Sequence, residues 1–219
     1  TLSKVPIAKC VRHPANRHPS EASIASLAES IQAEGLLEPP ELRPLGDGTY
    51  QIISGETRIL ALRKLGRGTG EIEAHIRHCD DARALELLAV FNAKRTDLNP
   101  IEKAQMIAKL CADPEDGGAG MGREAAAKIY GLETGAAASN LVGLLKLPKC
   151  WQDVVASGEF PQTFARELIP YAPAPAALES LYKDYQDDMK SKNDWDRRNW
   201  ESRSSVEEHI DETIDQYLR

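Results

Sequence analysis

Residues Ser54-Gly55-Glu56-Thr57-Arg58 lie where an apolar, strand-like stretch ends and a helical pattern begins. Backbone N–H groups at the start of a helix point outward with partial positive charge, so such a turn can bind phosphate. Gly55 lets the chain bend and lets a phosphate approach closely, and Arg58 would add two parallel hydrogen bonds. An ordinary strand-to-helix turn with a solvated arginine shows the same pattern, because glycine is common at such turns. The turn alone leaves both interpretations open.

A second group of polar residues lies in Phe91-Asn92-Ala93-Lys94-Arg95. Asn92 and Arg95 are three residues apart, which puts them on one face of a helix. An amide oxygen and a guanidinium in this arrangement would suit a triphosphate that carries a magnesium ion. A polar helix face exposed to water is the alternative interpretation.

Residues 123–145 have the pattern of a helix, a short turn and a second helix. Ala127 and Gly131 are four residues apart, as small residues are where two such helices cross, and Gly131 would begin the turn. The pattern is typical of a helix-turn-helix, whose second helix enters the major groove of DNA. Packing in a plain helical bundle is the alternative.

The net charge of −7 is unusual for a DNA-binding protein, but the negative charge is concentrated near the end of the chain. Affinity for DNA depends on cations close to the phosphates, so an acidic tail is compatible with DNA binding elsewhere. No apolar run approaches the roughly 20 residues of a membrane-spanning helix, and no export signal is visible, so we expect a soluble intracellular protein. The tail carboxylates are Asp184, Asp187, Asp188, Asp194, Asp196, Glu207, Glu208, Asp211, Glu212 and Asp215.

The first hundred residues alternate between helical and strand-like patterns. Apolar residues in the stretch 24–31 have the spacing of an amphipathic helix, with Ser20 as its cap and Gly35 at its end. Residues 41–43 and 50–53 flank a Gly-Asp-Gly turn, which predicts a β-hairpin. Further predictions are a helix over residues 56–65 closed by Gly66, a strand over residues 72–76, and a helix from Asp80 or Asp81 to about Lys94.

The remainder of the chain has an all-helical pattern. Asn99 can cap a helix, Pro100 fits the first helical position, and Glu102 completes a reciprocal capping box. The glycine-rich segment 113–120 is expected to be a loop. A last helix is expected from Ser205, and its abrupt end suggests that the natural chain continues. The other helices are predicted over residues 101–112, 123–130, 136–145, 151–157, 163–171 and 176–189.

Taken in order, these segments resemble the ParB family of chromosome and plasmid partition proteins. The resemblance runs from about Val5 to Tyr171 and depends on several motifs in the right order and spacing. The motifs are His13-Pro14-Ala15-Asn16-Arg17, Leu27-Ala28-Glu29-Ser30-Ile31, Gly35-Leu36-Leu37-Glu38-Pro39, Ile52-Ile53-Ser54-Gly55-Glu56-Thr57-Arg58, Phe91-Asn92-Ala93-Lys94-Arg95, Asp97-Leu98-Asn99-Pro100-Ile101-Glu102 and Ser139-Asn140-Leu141-Val142-Gly143-Leu144-Leu145-Lys146-Leu147-Pro148.

The resemblance implies an α+β ParB/sulfiredoxin-like N-terminal domain over residues 1–98, followed by an all-α helix-turn-helix domain over residues 99–219 that includes the acidic C-terminal tail. Members of the family bind CTP with Mg²⁺ in the first domain and a centromere-like DNA site with the second. Nucleotide binding lets two protomers close into a clamp on DNA, and a ParA-type ATPase is the usual partner. A cytoplasmic, nucleoid-associated homodimer is therefore expected.

The resemblance also implies roles for particular residues. Gly35 and Leu36 would contact the base or ribose of the nucleotide, and Asn92 would hold the metal with Arg95 nearby. The residues expected to line the phosphates are Arg17, Gly55, Glu56, Thr57 and Arg58. The residues expected to contact DNA are Arg123, Lys128, Ser139, Asn140 and Lys146, with Lys149 as a further backbone contact.

Several positions depart from the family pattern. Thr57 and Leu60 stand where the family has arginines, and each lost charge-assisted contact is worth about 1.5–3 kcal/mol. Phe91 replaces the acidic residue associated with hydrolysis, and Glu38 replaces a usual glutamine. We therefore expect weak nucleotide binding and at most a weak CTPase. The second helix of the helix-turn-helix begins with the alanines of residues 136–138, which offer bases only apolar contact.

Two other functions remain open at this point. The first is a nucleotide-dependent enzyme on the same fold, a kinase or a nuclease that uses Glu56 as a base or metal ligand. A sulfiredoxin-type activity would need a cysteine at the phosphate turn, and residues 54–58 contain none. The second is a protein-interaction adaptor that has lost ligand binding.

Overall fold

The computed structural model describes residues 2–95, 98–190, 200, 202, 204 and 206–210. The chain forms two compact units. The first unit comprises Thr1–Lys94 and Ala112–Gly120, and the second unit comprises Arg95–Cys111 and Met121–Arg219. None of the described helices has the length and hydrophobicity that a membrane-spanning helix needs.

The first unit contains a mixed five-stranded sheet. Its strands are β1 (Leu2–Pro6), β2 (Cys10–Arg12), β3 (Glu41–Pro44), β4 (Tyr50–Ser54) and β5 (Glu71–Ile76). They lie in the order β1-β5-β3-β4-β2, with β3 antiparallel to β4 and parallel to β5. The predicted hairpin and the predicted strand over residues 72–76 are confirmed. Neither edge strand is evident from the sequence pattern: β2 spans three residues, too few to show a period of two, and β1 is defined by its pairing with the distant β5.

Three helices complete the first unit, as predicted. They are α1 (Glu21–Glu34), α2 (Glu56–Lys64) and α3 (Asp81–Ala93). Ser20 caps α1 by accepting a hydrogen bond from the Ser23 backbone N–H at 3.2 Å, and Gly35 ends it with a φ of 80°. The apolar faces of α1 and α2 pack together with the sheet around a core that includes Ile24, Ile31, Leu42, Ile52 and Ile59.

Arg63 on α2 attaches the N-terminal segment to this core. One of its terminal nitrogens donates to the carbonyl oxygens of Ile7 at 3.0 Å and Cys10 at 2.7 Å. Ile7 lies between the two edge strands and Cys10 is the first residue of β2, so one guanidinium binds the backbone at both places. This contact holds β2, and the loop that follows it, beside α2.

The second unit is helical. Its helices are α4 (Pro100–Cys111), α5 (Arg123–Ile129), α6 (Gly135–Gly143), α7 (Lys149–Ser157), α8 (Gln162–Ala165) and α9 (Pro175–Lys190). The helix predicted over residues 163–171 is wrong in its second half, where Arg166–Tyr171 is a 3₁₀ helix. Pro170 lacks an N–H and disfavours α geometry in the residue before it, so the α-helix stops early. Within the predicted loop, Pro114–Asp116 forms one 3₁₀ turn.

An aromatic cluster around Trp151 forms the core of the second unit. The Trp151 ring packs against Phe160, Tyr185 and Trp200 with centroid separations of 5.1, 5.6 and 6.1 Å, and its indole N–H donates to the Leu178 carbonyl at 2.8 Å. Trp200 comes from the predicted tail, so part of that tail packs on the bundle. Residues 206–210 are helical, while Ser205, where that helix is predicted to begin, lies outside the described residues. Asp194, Asp196, Asp211, Glu212 and Asp215 lie outside them too.

The predicted capping box at the start of α4 is confirmed. The Glu102 N–H donates to Asn99 Oδ1 at 2.9 Å, and the Asn99 N–H donates to Glu102 Oε2 at 3.3 Å. We expect Asn99→Ala to lower the free energy of unfolding by about 0.5–2 kcal/mol, because loss of the Asn99 side chain leaves the Glu102 backbone N–H without its acceptor. Urea denaturation followed by Trp fluorescence measures this change. Gln105→Ala, an exposed substitution in the same helix, should change the free energy by less than about 0.5 kcal/mol, and equal effects would contradict the capping role.

Candidate functional site

The turn between β4 and α2 has the geometry of an anion-binding helix start. Gly55 precedes the first residue of α2 and has a φ of 93°, in the left-handed region that favours glycine. A Cβ atom at position 55 would lie 2.8 Å from Cβ of Pro40, so any other residue would also collide with the neighbouring segment. The turn is therefore restricted to glycine by both its backbone angle and its packing.

Arg58 links the turn to the segment of Glu38 and Pro39. One terminal nitrogen of Arg58 donates to the Pro39 carbonyl at 3.3 Å, and the other donates to Glu38 Oε2 at 2.6 Å. The Arg58 side chain is 26% exposed, whereas that of Glu38 is 77% exposed. The guanidinium is thus fixed at the surface beside the start of α2, where its charge adds to that of the helix dipole.

Glu56, the first residue of α2, is buried and faces the loop after β2. Its Oε2 accepts a hydrogen bond from Asn16 Nδ2 at 2.6 Å, and its Oε1 lies 3.2 Å from Arg12 Nε. Both carboxylate oxygens are therefore engaged by residues of the protein. This arrangement attaches residues 12–18 to the phosphate turn.

The loop of residues 12–18 brings more positive charge to the same place. Arg12 donates to the Asn16 carbonyl and, through its other terminal nitrogen, to His18 Nε2. His13 is buried and accepts a hydrogen bond from the Ala15 N–H at 3.0 Å, while Arg17 is exposed. The sequence pattern gives no sign of the roles of Arg12 and His18, because about forty residues of chain separate them from Glu56.

Burial determines the ionisation of Glu56. Desolvation raises the pKa of Glu56 above its ordinary value, and the positive charge of Arg12, with the hydrogen bond from Asn16, opposes this increase in part. A carboxylate whose pKa is raised despite a guanidinium at 3.2 Å is held in a poorly hydrated place. Its ionised form is therefore costly to the fold.

The other residues proposed for nucleotide binding lie at several places. Gly35 is exposed and Leu36 is half-buried, and both lie in the segment that leads to Glu38. Asn92 is half-buried near the end of α3, and among the described residues it has no hydrogen bond or ion pair with the turn of residues 55–58. Arg95 is exposed and belongs to the second unit. The structure thus brings together three segments, residues 12–18, 35–40 and 55–58.

The helix-turn-helix predicted over residues 123–145 is present as α5, a turn and α6. Thr134 caps α6 by accepting a hydrogen bond from the Ala137 N–H at 3.1 Å, and Gly131 has a φ of 68° in the turn. The close helix crossing predicted at Gly131 is wrong, since a Cβ there would meet nothing within 4 Å. The tight contact lies at Gly135, where a Cβ would be 2.5 Å from Glu124 Oε1.

The residues predicted to contact DNA are mostly on the surface of this motif. Lys128, Ser139 and Lys146 are exposed, and Asn140 is half-buried. Arg123 is half-buried, and one terminal nitrogen of its guanidinium is buried without a hydrogen-bond partner among the described residues.

A cleft separates α6 from the segment that begins with α8. Asn140 lines it on one side, and Gln162, Thr163 and Arg166 line it on the other. Arg166 is exposed and was not identified by the sequence analysis, because it lies outside the helix-turn-helix in sequence. The cleft therefore combines an amide on the second helix with a guanidinium from a different helix, two groups that can reach bases or phosphates.

Both units match known protein domains. Residues 1–93 match the family model of the ParB N-terminal domain, and residues 96–194 match that of the ParB HTH domain. The chain is 35% identical over 185 residues to the chromosome-partitioning protein ParB of Myxococcus xanthus, covering 84% of this chain and 59% of that protein. It is also 35% identical over 162 residues to the chromosome-partitioning protein Spo0J of Thermus thermophilus, covering 74% of this chain and 56% of the relative.

A solved structure resembles the chain as well. C-terminally truncated ParB from Caulobacter crescentus, complexed to the centromeric parS site, matches with a TM-score of 0.57 and 28% sequence identity. The match covers 83% of this chain and 91% of that one. The chain spans 59% of the Myxococcus relative and 56% of the Thermus relative, so it corresponds to little more than half of either protein.

The raised pKa of Glu56 predicts a distinct pH dependence of stability. The folded state favours the protonated carboxyl of Glu56. Its contribution to the free energy of unfolding is therefore full below the pKa of the unfolded state, about 4.3, and is lost as pH rises through the raised pKa of the folded state. We expect Glu56→Gln, which cannot ionise, to gain stability relative to the unmodified protein as pH increases from 3 to 7. Urea denaturation across that range measures the difference.

Asp47 provides a control of opposite sign. Hydrogen bonds from the Thr49 side chain and backbone lower the pKa of Asp47, so its contribution is present above the unfolded pKa of about 3.9 and is lost as pH falls through the lower native pKa. Asp47→Asn should therefore lose stability relative to the unmodified protein as pH rises. If the stability difference from the unmodified protein changed with pH in the same direction for both variants, burial would not be what determines the pKa of Glu56.

Proposed function

This chain belongs to the ParB family, and from that premise we propose that it is a DNA-binding partition protein whose first unit binds CTP with Mg²⁺. In this proposal the nucleotide gates a clamp formed by two protomers on DNA. A cytoplasmic, nucleoid-associated location and a ParA-type ATPase partner belong to the same proposal. The boundary between the nucleotide and DNA domains is placed after residue 98.

Nucleotide binding is supported chiefly by the positively charged groups that lie together at the start of α2. Gly55 opens the backbone there, Arg58 lies beside it, and the loop with Arg12 and Arg17 is attached through Glu56. Helix N–H groups and guanidinium groups together favour a polyphosphate. The phosphates would be lined by Arg17, Gly55, Glu56, Thr57 and Arg58, and the base or ribose would contact Gly35 and Leu36. Asn92 would hold the metal, with Arg95 nearby.

The same geometry argues against a kinase or nuclease. Both oxygens of Glu56 are engaged by Asn16 and Arg12, so neither is directed at a substrate as a base or a metal ligand would be. Phe91 supplies no acid at the position associated with hydrolysis. We therefore propose at most a weak CTPase activity, with the nucleotide acting chiefly as a bound ligand.

The DNA half of the proposal depends on α6 and the cleft beside it. A relative of 28% identity has been solved on its centromeric DNA site, and the helix-turn-helix of this chain presents Ser139 and Asn140 on α6. Lys128 and Lys146 at its edges, with Arg166 across the cleft, would contact phosphates or bases. Because Ala136 is the exposed residue of the first turn of α6, base readout would be limited to few side chains.

Nucleotide binding is tested by a thermal-shift comparison of CTP, ATP and GTP with Mg²⁺, with and without DNA. A ligand at one hundred times its Kd adds about 2.7 kcal/mol of stability to the folded state. We expect CTP to bind best of the three nucleotides and therefore to raise the unfolding temperature most. Arg58→Ala should abolish the shift, whereas Arg77→Ala, which removes an exposed arginine paired with Glu41, should preserve it. Equal shifts with all three nucleotides would refute CTP selectivity, and micromolar affinity with measurable turnover would refute a weakened site.

DNA binding is tested by gel-shift competition over a range of salt concentrations. We expect Lys146→Ala to weaken binding to all sequences alike and to lower the slope of log K against log salt by about 0.9, as the loss of one phosphate contact does. Lys183→Ala, an exposed lysine on α9, is the matched control and should change neither quantity. Strong discrimination among unrelated sequences would contradict limited base readout, and absence of DNA retention at low salt would favour the adaptor function.

A further inference from the structure

Glu38 occupies the guanidinium that the proposed phosphate site requires. Its Oε2 lies 2.6 Å from one terminal nitrogen of Arg58, and the other terminal nitrogen donates to the carbonyl of Pro39 at 3.3 Å. Both terminal nitrogens of Arg58 are thus engaged by two consecutive residues of one segment. A phosphate can bind the fork of Arg58 fully only if the carboxylate leaves.

The backbone of this segment cannot carry Glu38 far away. Pro39 restricts the preceding residue to extended conformations, and Pro40 is buried against the turn, with its Cβ where a side chain at Gly55 would be. The Glu38 side chain itself is 77% exposed, so it can rotate into solvent. A displaced carboxylate therefore stays within several ångströms of any anion bound at the turn.

The other arginine at the turn has a different partner. Arg12 lies 3.2 Å from the buried carboxylate of Glu56 and also donates to a backbone carbonyl. Glu56 is 8% exposed and cannot rotate away, whereas an exposed pair such as Glu38 with Arg58 is weak and screened by salt. Of the two ion pairs, the one between Glu38 and Arg58 is therefore the pair in which a bound anion can replace the carboxylate.

We propose that Glu38 is an affinity-determining residue of the nucleotide site, where it competes with phosphate for Arg58 and repels the bound anion. The inference rests on the proposed nucleotide-binding function. Its consequence is that the penalty grows with the negative charge of the ligand, because like charges at short range repel in proportion to their product. A triphosphate is disfavoured more than a monophosphate of the same nucleoside.

The test compares CMP, CDP and CTP in EDTA, where the ligand charge increases with each phosphate, and CTP again with Mg²⁺, by isothermal titration calorimetry on the unmodified chain and on Glu38→Gln. Glutamine keeps the length and hydrogen-bonding capacity of the side chain and removes its charge. We expect Glu38→Gln to tighten CTP binding roughly 3- to 10-fold, as a single surface charge interaction does. The gain should be smaller for CDP and smallest for CMP.

Glu34→Gln is the matched control. It removes the same charge from an exposed residue at the end of α1 that forms no ion pair with Arg58, and it should leave all three affinities within about twofold. Equal gains from both variants would show a general effect of net charge and would overturn the specific role of Glu38.

The remaining outcomes separate this inference from the function on which it rests. If CTP binds the unmodified chain and Glu38→Gln does not tighten it, the inference fails while the nucleotide site stands. If Glu38→Gln weakens CTP binding, Glu38 is a ligand of the metal or nucleotide, which overturns the competition. If neither protein binds any of the three nucleotides, the inference and the nucleotide half of the proposed function fail together.

Discussion

The contact between Gly55 and Pro40 is the constraint on which the candidate nucleotide site depends. A positive φ at Gly55 turns the chain from β4 into α2, and the absence of a side chain there lets the segment of residues 38–40 lie directly on the turn. Because that segment is held so close, Arg58 can reach both Glu38 and Pro39. The direction of the helix start, the position of the guanidinium and the access of an anion therefore have a common origin.

The ion pair of Glu56 and Arg12 extends this constraint to the N-terminal segment. Burying a charged pair is costly, and although Arg12 Nε itself is buried without a hydrogen-bond partner among the described residues, hydrogen bonds to other groups offset part of that cost. Asn16 supplies one to Glu56, and the Asn16 carbonyl accepts one from Arg12.

Features encoded by neighbouring residues could be predicted from the sequence. The hairpin of β3 and β4, the cap at Ser20 and the capping box of Asn99 and Glu102 each depend on residues within about ten positions of one another. The pairing of Glu56 with Arg12 could not, since it joins residues distant in the sequence and neither residue type requires the other. Likewise β1 is recognisable only from its pairing with β5, about seventy residues later.

The distribution of ion pairs distinguishes the two units. In the first unit Arg12, Arg43, Arg58 and Arg77 each lie beside a carboxylate. In the second unit, by contrast, three cations near α6 form no ion pair with another described residue, namely Lys128, Lys146 and Arg166. An anion that binds the fork of Arg58 must displace the Glu38 carboxylate, whereas a phosphate at Lys128, Lys146 or Arg166 would displace only water and counterions. The proposed DNA surface therefore has cations that no described carboxylate neutralises, whereas the candidate nucleotide site has its arginines already paired, although the net charge of the chain is negative.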